Sequence, residues 1–166
     1  AREKSFFGTG LVAHVSMAEP FAPALRRVLV EAARAGGHEV ADGGTYLCME
    51  GPQFSTRAES LWYRSLGCSV IGMTNLTEAR LCREAEIAYA TLALATDWDC
   101  WHPHQACVTA EMAIGNLQGN AQRAQTLLTH AVRRIAATWP ESPAHRALDS
   151  SLVTQPAAMS PAVRAR

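Results

Sequence analysis

Residues 55–96 read STRAESLWYRSLGCSVIGMTNLTEARLCREAEIAYATLALAT, and their pattern sets the fold class. Thr56 and Glu59 have the spacing of a capping box, so a helix opens there, and Gly67 is placed to close it. CSVIGMTN, residues 68–75, follows as a short apolar run of the buried-strand type. LTEARLCREAE, residues 76–86, is a second helix with Thr77 as a candidate cap. IAYATLALAT, residues 87–96, is apolar almost throughout, as expected of a strand covered on both faces. Helices alternating with buried strands imply an α/β protein. The expected architecture is a three-layer sandwich with a mixed, largely buried sheet flanked by helices.

The flanking sequence extends this pattern. GLVAHVS, residues 10–16, reads as a strand, and EPFAPALRRVLVEAARAGG, residues 19–37, as a helix. In that helix Pro23 suits the first turn, Leu25, Val28, Leu29, Ala32 and Ala33 share a face, and Gly36-Gly37 end it. HEVADGGTYLCM, residues 38–49, reads as two extended segments around Asp42-Gly43-Gly44, a hairpin pattern. Residues 109–139 carry helical periodicity, weakened at Gly115 and Gly119. Residues 1–139 form the expected folded portion, and residues 140–166 a Pro/Ala/Ser-rich tail, partly ordered.

Composition narrows the function classes. Fifteen basic and fifteen acidic residues cancel, so charge gives no reason to expect nucleic acid or an anionic membrane as a partner. No apolar run approaches the roughly 20 residues of a membrane span. Five cysteines, an odd number, several of them in apolar patterns, suit a reducing cytoplasm rather than a disulfide framework.

In open α/β sheets, ligands gather at strand ends and in the loops that follow. Three loops hold that position: Gln53-Phe54-Ser55, Met73-Thr74 and Thr96-Asp97. TDWD, residues 96–99, reads either as a turn with helix-capping acids or as a carboxylate at the mouth of an apolar sheet, able to give or take a proton. Phe54 and Met73 are either core or contacts for a flat ligand. Thr74 either caps a helix or offers a hydroxyl and a backbone N–H to an anion. Cys100, His102, His104 and Cys107 have metal-ligand chemistry, but Pro103 interrupts the extended run that would aim them together, and no metal is expected. His14, mid-strand, is by default a half-buried histidine.

Four stretches carry a resemblance: SMAEPF (16–21), EGPQFSTRAES (50–60), IGMTNLTEARL (71–81) and ATDWDCW (95–101). In order and spacing they resemble the 5′-methylthioadenosine phosphorylases of the trimeric purine nucleoside phosphorylase superfamily. The likeness runs from about Ser5 to the long helix near Ala131. It implies phosphorolysis of a nucleoside to adenine and 5-methylthioribose 1-phosphate, with inorganic phosphate as co-substrate and no cofactor. By the same resemblance, Phe54 packs on the purine and Ser55 stands where adenine is told from an oxopurine. Met73 meets the ribose and Thr74 the phosphate. Asp97 is the catalytic group at N7 and the 6-amino group, supported by Asp99, with Trp98 between them in the substrate loop. Ala110 lies near the 5′-substituent, where the family has Val, and His14 reaches into a neighbouring subunit of a homotrimer.

Two acids favour adenine, which argues against the related purine nucleoside and methylthioinosine phosphorylases. A non-catalytic purine-binding remnant is the alternative from another class. The resemblance is to the C-terminal part of the family only. It implies that the phosphate-loop half of the site belongs to an upstream segment or a separate upstream chain, without which little turnover is expected. Glu86 departs from the family, which has Gly after this helix, so the turn there is expected to differ.

Overall fold

A computed structural model describes residues 2–104 and 109–164. Helix α1 spans Pro23–Ala35, strand β1 Thr45–Cys48, helix α2 Arg57–Ser65, strand β2 Cys68–Gly72 and helix α3 Asn75–Glu84. A 3-10 turn follows at Asp99–Trp101, then the long helix α4, Ala110–Thr138, and a short helix α5, Pro161–Arg164.

The β1–α2–β2 unit is the organising element. β1 and β2 pair in parallel, with Tyr46 opposite Val70 and Cys48 opposite Gly72. Parallel neighbours require a crossover, and α2 supplies it. Its start is the expected capping box. Thr56 Oγ1 accepts from Glu59 N–H at 3.2 Å, and Glu59 Oε2 accepts from Thr56 N–H at 2.7 Å. Gly67 leaves the helix with φ +78°, a left-handed conformation that suits glycine.

The α/β class stands, and the sheet is smaller than the pattern implied. Among the described residues the regular ladder has two strands, both parallel and only half-buried. The hairpin at 38–49 does not form, because β1 pairs forward with β2 instead of back with residues 38–41. Residues 11–16 make one antiparallel bridge, Ala13 to Leu152. Residues 87–96 carry no regular ladder, although Leu92 packs on the core. An apolar run specifies that it be covered, not by which strand. α3 begins at Asn75 with Thr74 at its cap position, not at Thr77.

The core lies between α1 and α4. Ala32, Ala33, Leu127 and Ala131 are buried together, with Val28, Leu29, Val40 and Leu92 packed around them. Three alanines at the contact let the two helices approach closely, and an Arg134–Glu31 ion pair joins their outer faces. α4 runs unbroken through Gly115 and Gly119. Its N-cap is Thr109, whose hydroxyl accepts from Met112 N–H at 3.2 Å.

Residues 140–164 return to the N-terminal segment. Ser151 O accepts from His14 N–H at 2.8 Å, and Val12 O from Val153 N–H at 2.9 Å. Glu86 adopts φ +56°, the conformation a glycine would take freely. Its carboxylate accepts from Leu148 N–H at 3.0 Å, so the departure from glycine ties the C-terminal segment to the end of α3. Two residues earlier, at the last position of α3, buried Glu84 ties down the N-terminal segment, accepting from Ser5 Oγ–H at 2.8 Å and from Phe6 N–H at 2.5 Å.

Candidate active site

Two of the three loops leave a regular strand, β1 or β2, whose geometry aims them. The loop after β1 turns at Gly51, φ +67°, where a Cβ would come within 2.6 Å of Met73 Sδ. That close approach brings the 49–55 loop against the loop after β2. Arg2 reinforces the junction by donating to both Met73 O and Glu50 O. The 49–55 loop also meets the third loop, since Ser55 O accepts from Cys100 Sγ–H at 3.2 Å. The 49–55 loop therefore meets both of the others, while the third follows an irregular apolar run and not a strand end.

Within this junction Phe54 is exposed at 45%, while its neighbour Ser55 is buried at 6% with its hydroxyl directed to Met49 Sδ, 3.7 Å away. Phe54 is therefore not core packing in this chain. Met73 is half-buried against Gly51. Thr74 is exposed at the start of α3, and its side chain makes no cap hydrogen bond there. The Tyr46 phenol beside it is pushed above its ordinary pKa, chiefly by burial, and its hydrogen bond with Thr74 only partly offsets that rise.

The acidic loop is tightly constrained. Asp97 is half-buried and accepts two hydrogen bonds, from Thr96 Oγ1–H to Oδ2 at 2.7 Å and from Asp99 N–H to Oδ1 at 2.8 Å. Asp99 has φ +58° and accepts at Oδ2 from Ser60 Oγ–H at 2.5 Å. Trp98, between them, is 59% exposed, with its ring edge-on to Trp101 at 5.8 Å. The Asp97 contact with Asp99 N–H is the local turn expected of such acids. The same arrangement leaves each carboxylate with lone pairs free to accept from a ligand.

Behind this loop, α4 holds the preceding segment. Asn116 Nδ2–H donates to Thr96 O at 2.5 Å and Asn120 Nδ2–H to Ala95 O at 3.5 Å. Gly115 and Gly119 leave an open groove of about 420 Å³ beside them. Ala110 is exposed at the first position of α4. His14 is exposed and its backbone is bonded to Ser151, at the C-terminal segment rather than in the three-loop junction.

Of the cysteine–histidine cluster, Cys107 lies outside the described residues. His102 Nδ1 accepts from His104 N–H at 3.2 Å, and the His102 ring lies 5.2 Å from that of Trp101. Among the described residues no group of three or more candidate ligands comes together.

Sequence reasoning missed Arg2, Ser60, Arg64, Asn116 and Asn120. Ser60 and Arg64 sit one turn apart on α2, and Asn116 and Asn120 one turn apart on α4, so helical spacing groups each pair. Nothing in that spacing reveals the loop that each pair holds.

A phosphorylase superfamily model matches residues 1–133. S-methyl-5′-thioadenosine phosphorylase of Bradyrhizobium diazoefficiens is 54% identical over 166 residues, covering 96% of this chain and 56% of that protein. The crystal structure of a methylthioadenosine phosphorylase sourced from an antarctic soil metagenomic library superposes with TM-score 0.86 at 52% identity, over 98% of this chain and 58% of the other. Methylthioadenosine phosphorylase from Schistosoma mansoni, in complex with adenine, superposes with TM-score 0.84 at 29% identity, over 92% of this chain and 62% of the other. The chain spans little more than half the length of the curated relative described here.

Proposed function

The chain belongs to the phosphorylase superfamily, and from that premise we propose that it carries the purine and ribose side of a site for phosphorolysis of 5′-methylthioadenosine. The products are adenine and 5-methylthioribose 1-phosphate, and inorganic phosphate is the co-substrate, with no cofactor. The observation that carries this reading is the Thr96–Asp97–Asp99–Ser60 hydrogen-bond chain in the acidic loop, which is joined through Ser55–Cys100 to the loops that follow β1 and β2.

The chemistry assigned to these residues is as follows. The glycosidic bond breaks toward an oxocarbenium-like ribosyl, and its electron pair flows into the purine. Asp97 shares a proton with N7 of the leaving adenine, and Asp99 helps present acceptors to the 6-amino group. Phe54 offers an exposed ring face to the base. Buried Ser55 sets the rim of the purine pocket, Met73 packs on the ribose, and Thr74, exposed at the start of α3, faces phosphate. Trp98 covers the acidic loop. Ala110, smaller than the valine of the family, leaves room at the 5′-substituent.

The proposal includes a homo-oligomer, the homotrimer of the resemblance, in which His14 approaches a neighbouring subunit's site. Exposed Leu61, Trp62 and Leu66 near α2 and Leu117, Leu128 and Val132 on α4 support association. A cytoplasmic location is supported by the reduced cysteines Cys48, Cys68 and Cys82, which suit a reducing compartment. Among the described residues no helix is long and apolar enough to cross a membrane.

The test is chromatographic detection of adenine from methylthioadenosine with and without phosphate, paired with calorimetry of adenine binding. Phosphate-dependent release supports the full proposal. Adenine binding without release by the chain alone, with release once the phosphate-loop half is supplied, is the outcome expected of a half-site, and binding without release in both cases supports the non-catalytic purine-binding reading. Failure to bind any purine overturns the site assignment.

A further inference from the structure

Helix α2 meets the acidic loop on one face. Ser60 is 1% exposed, and its hydroxyl leaves its own helix to donate to Asp99 Oδ2, 39 residues away in sequence, at 2.5 Å. One turn on, Arg64 lays its guanidinium over the Trp101 ring, 3.4 Å from the centroid. Just before the helix, Ser55 O accepts from Cys100 Sγ–H at 3.2 Å. The segment 55–64 thus grips 99–101 at three points in succession.

The loop requires such a grip. Asp99 is a non-glycine residue at φ +58°, a conformation that surrounding contacts must hold. Its backbone N–H is also one of the two donors that orient the Asp97 carboxylate. A hydroxyl bonded to a carboxylate is stronger than a neutral pair. Ser60 is itself buried, so removing its hydroxyl takes from Asp99 Oδ2 a donor that is held in place by the helix.

We infer that Ser60 is a positioning residue for the Asp97–Asp99 pair, with Arg64 as its second anchor, so that α2 sets how the two acids face the purine. The inference rests on the proposed reading of Asp97 and Asp99 as purine contacts. It goes beyond that reading by locating the discrimination between 6-amino and 6-oxo purines partly in residues that touch no ligand. Without the Ser60 hydroxyl, Asp99 relaxes from its left-handed conformation, its N–H leaves Asp97 Oδ1, and Asp97 turns. Two acceptors held toward an amino group become one mobile carboxylate, which favours neither purine.

The test uses the full chain and its Ser60→Ala, Arg64→Gln and Ser65→Ala variants. Calorimetry reads adenine and hypoxanthine affinity, and NMR hydrogen exchange reads the Asp99 amide. Ser60→Ala is expected to weaken adenine about tenfold, the scale of one charge-assisted hydrogen bond, and to speed Asp99 exchange. Hypoxanthine affinity should stay within about twofold, so the preference falls. Arg64→Gln, at an exposed position that tolerates substitution, should move the ratio the same way. Ser65→Ala, whose hydroxyl bonds only Trp62 O on the same helix, should change nothing. Equal losses for both purines, or unchanged affinities with a lowered melting temperature, would make Ser60 a purely structural serine and overturn the inference. A parent chain that binds neither purine would remove the purine reading itself, and the inference with it.

Discussion

Replacing Asp97 with Asn separates the chemistry of the acidic loop from its stability. Asp97 Oδ1 accepts from Asp99 N–H, and Oδ2 accepts from Thr96 Oγ1–H. The amide nitrogen of Asn cannot face the Asp99 N–H, because two donors would meet. It can face Thr96, whose hydroxyl reverses from donor to acceptor. One orientation therefore satisfies both neighbours, and the loop keeps its shape. The stability cost reduces to exchanging charge-assisted bonds for neutral ones at a half-buried site, about 1 kcal/mol or less. For a chain of this size that is a melting shift of roughly 2–4 °C. The chemical cost is larger. The amide cannot share a proton with N7, and general-acid effects are worth about 10²–10⁴-fold. In the orientation the loop imposes, the NH₂ side that replaces Oδ2 also presents a donor where adenine presents its own amino hydrogens, while O6 of hypoxanthine would accept it. The expected result is a fall of at least about 10² in kcat/KM for methylthioadenosine, with the preference moving toward methylthioinosine. The assay is kcat/KM for both nucleosides at saturating phosphate in enzyme reconstituted with the phosphate-loop half, with a thermal melt of the same preparation. An unchanged rate and an unchanged ratio would leave Asp97 as a turn residue and refute its catalytic assignment.

Leu127→Ala, at the buried α1–α4 contact, should cost about 2–5 kcal/mol in urea denaturation, since α4 cannot collapse into the space without breaking the Ala32–Ala131 packing. A loss below that range would mean that this contact is not the core of the fold. At Glu86, Gly and Ala should part company. Both lose the bond to Leu148 N–H, but only Gly relieves the left-handed backbone, so Glu86→Gly should be more stable than Glu86→Ala by about 1 kcal/mol; equal stabilities would argue against the strain. Glu59 is held below its ordinary pKa of 4.5 by hydrogen bonds from the Thr56 backbone and hydroxyl. A lowered carboxyl pKa gives stability that is present above 4.5 and lost as pH falls through the folded value, so acid should loosen the start of α2. Glu59→Gln should flatten that part of the stability–pH curve, and a curve identical to the parent's would show that the capping box does not contribute.

Local rules read from the sequence are met where the decisive contacts lie within a few residues. The Thr56–Glu59 box, the Gly67 exit and the Gly36 end of α1 all depend on short-range geometry. The loops that carry Phe54, Met73, Thr74 and Asp97 were legible for the same reason, because each follows a strand-like run or a turn signal. Resemblance then supplied the roles that spacing could not. What the sequence left open were pairings between distant segments. Alternation of apolar residues shows that a run is buried but does not name its partner, which is why β1 joins β2 and not residues 38–41. A left-handed Glu86 could not be foreseen, since its cost is offset only by a bond to Leu148, 62 residues away. Ser60 is the sharpest case. A serine inside an amphipathic helix has no local signature of function, and its hydroxyl acquires one only when the fold sets α2 against Asp99.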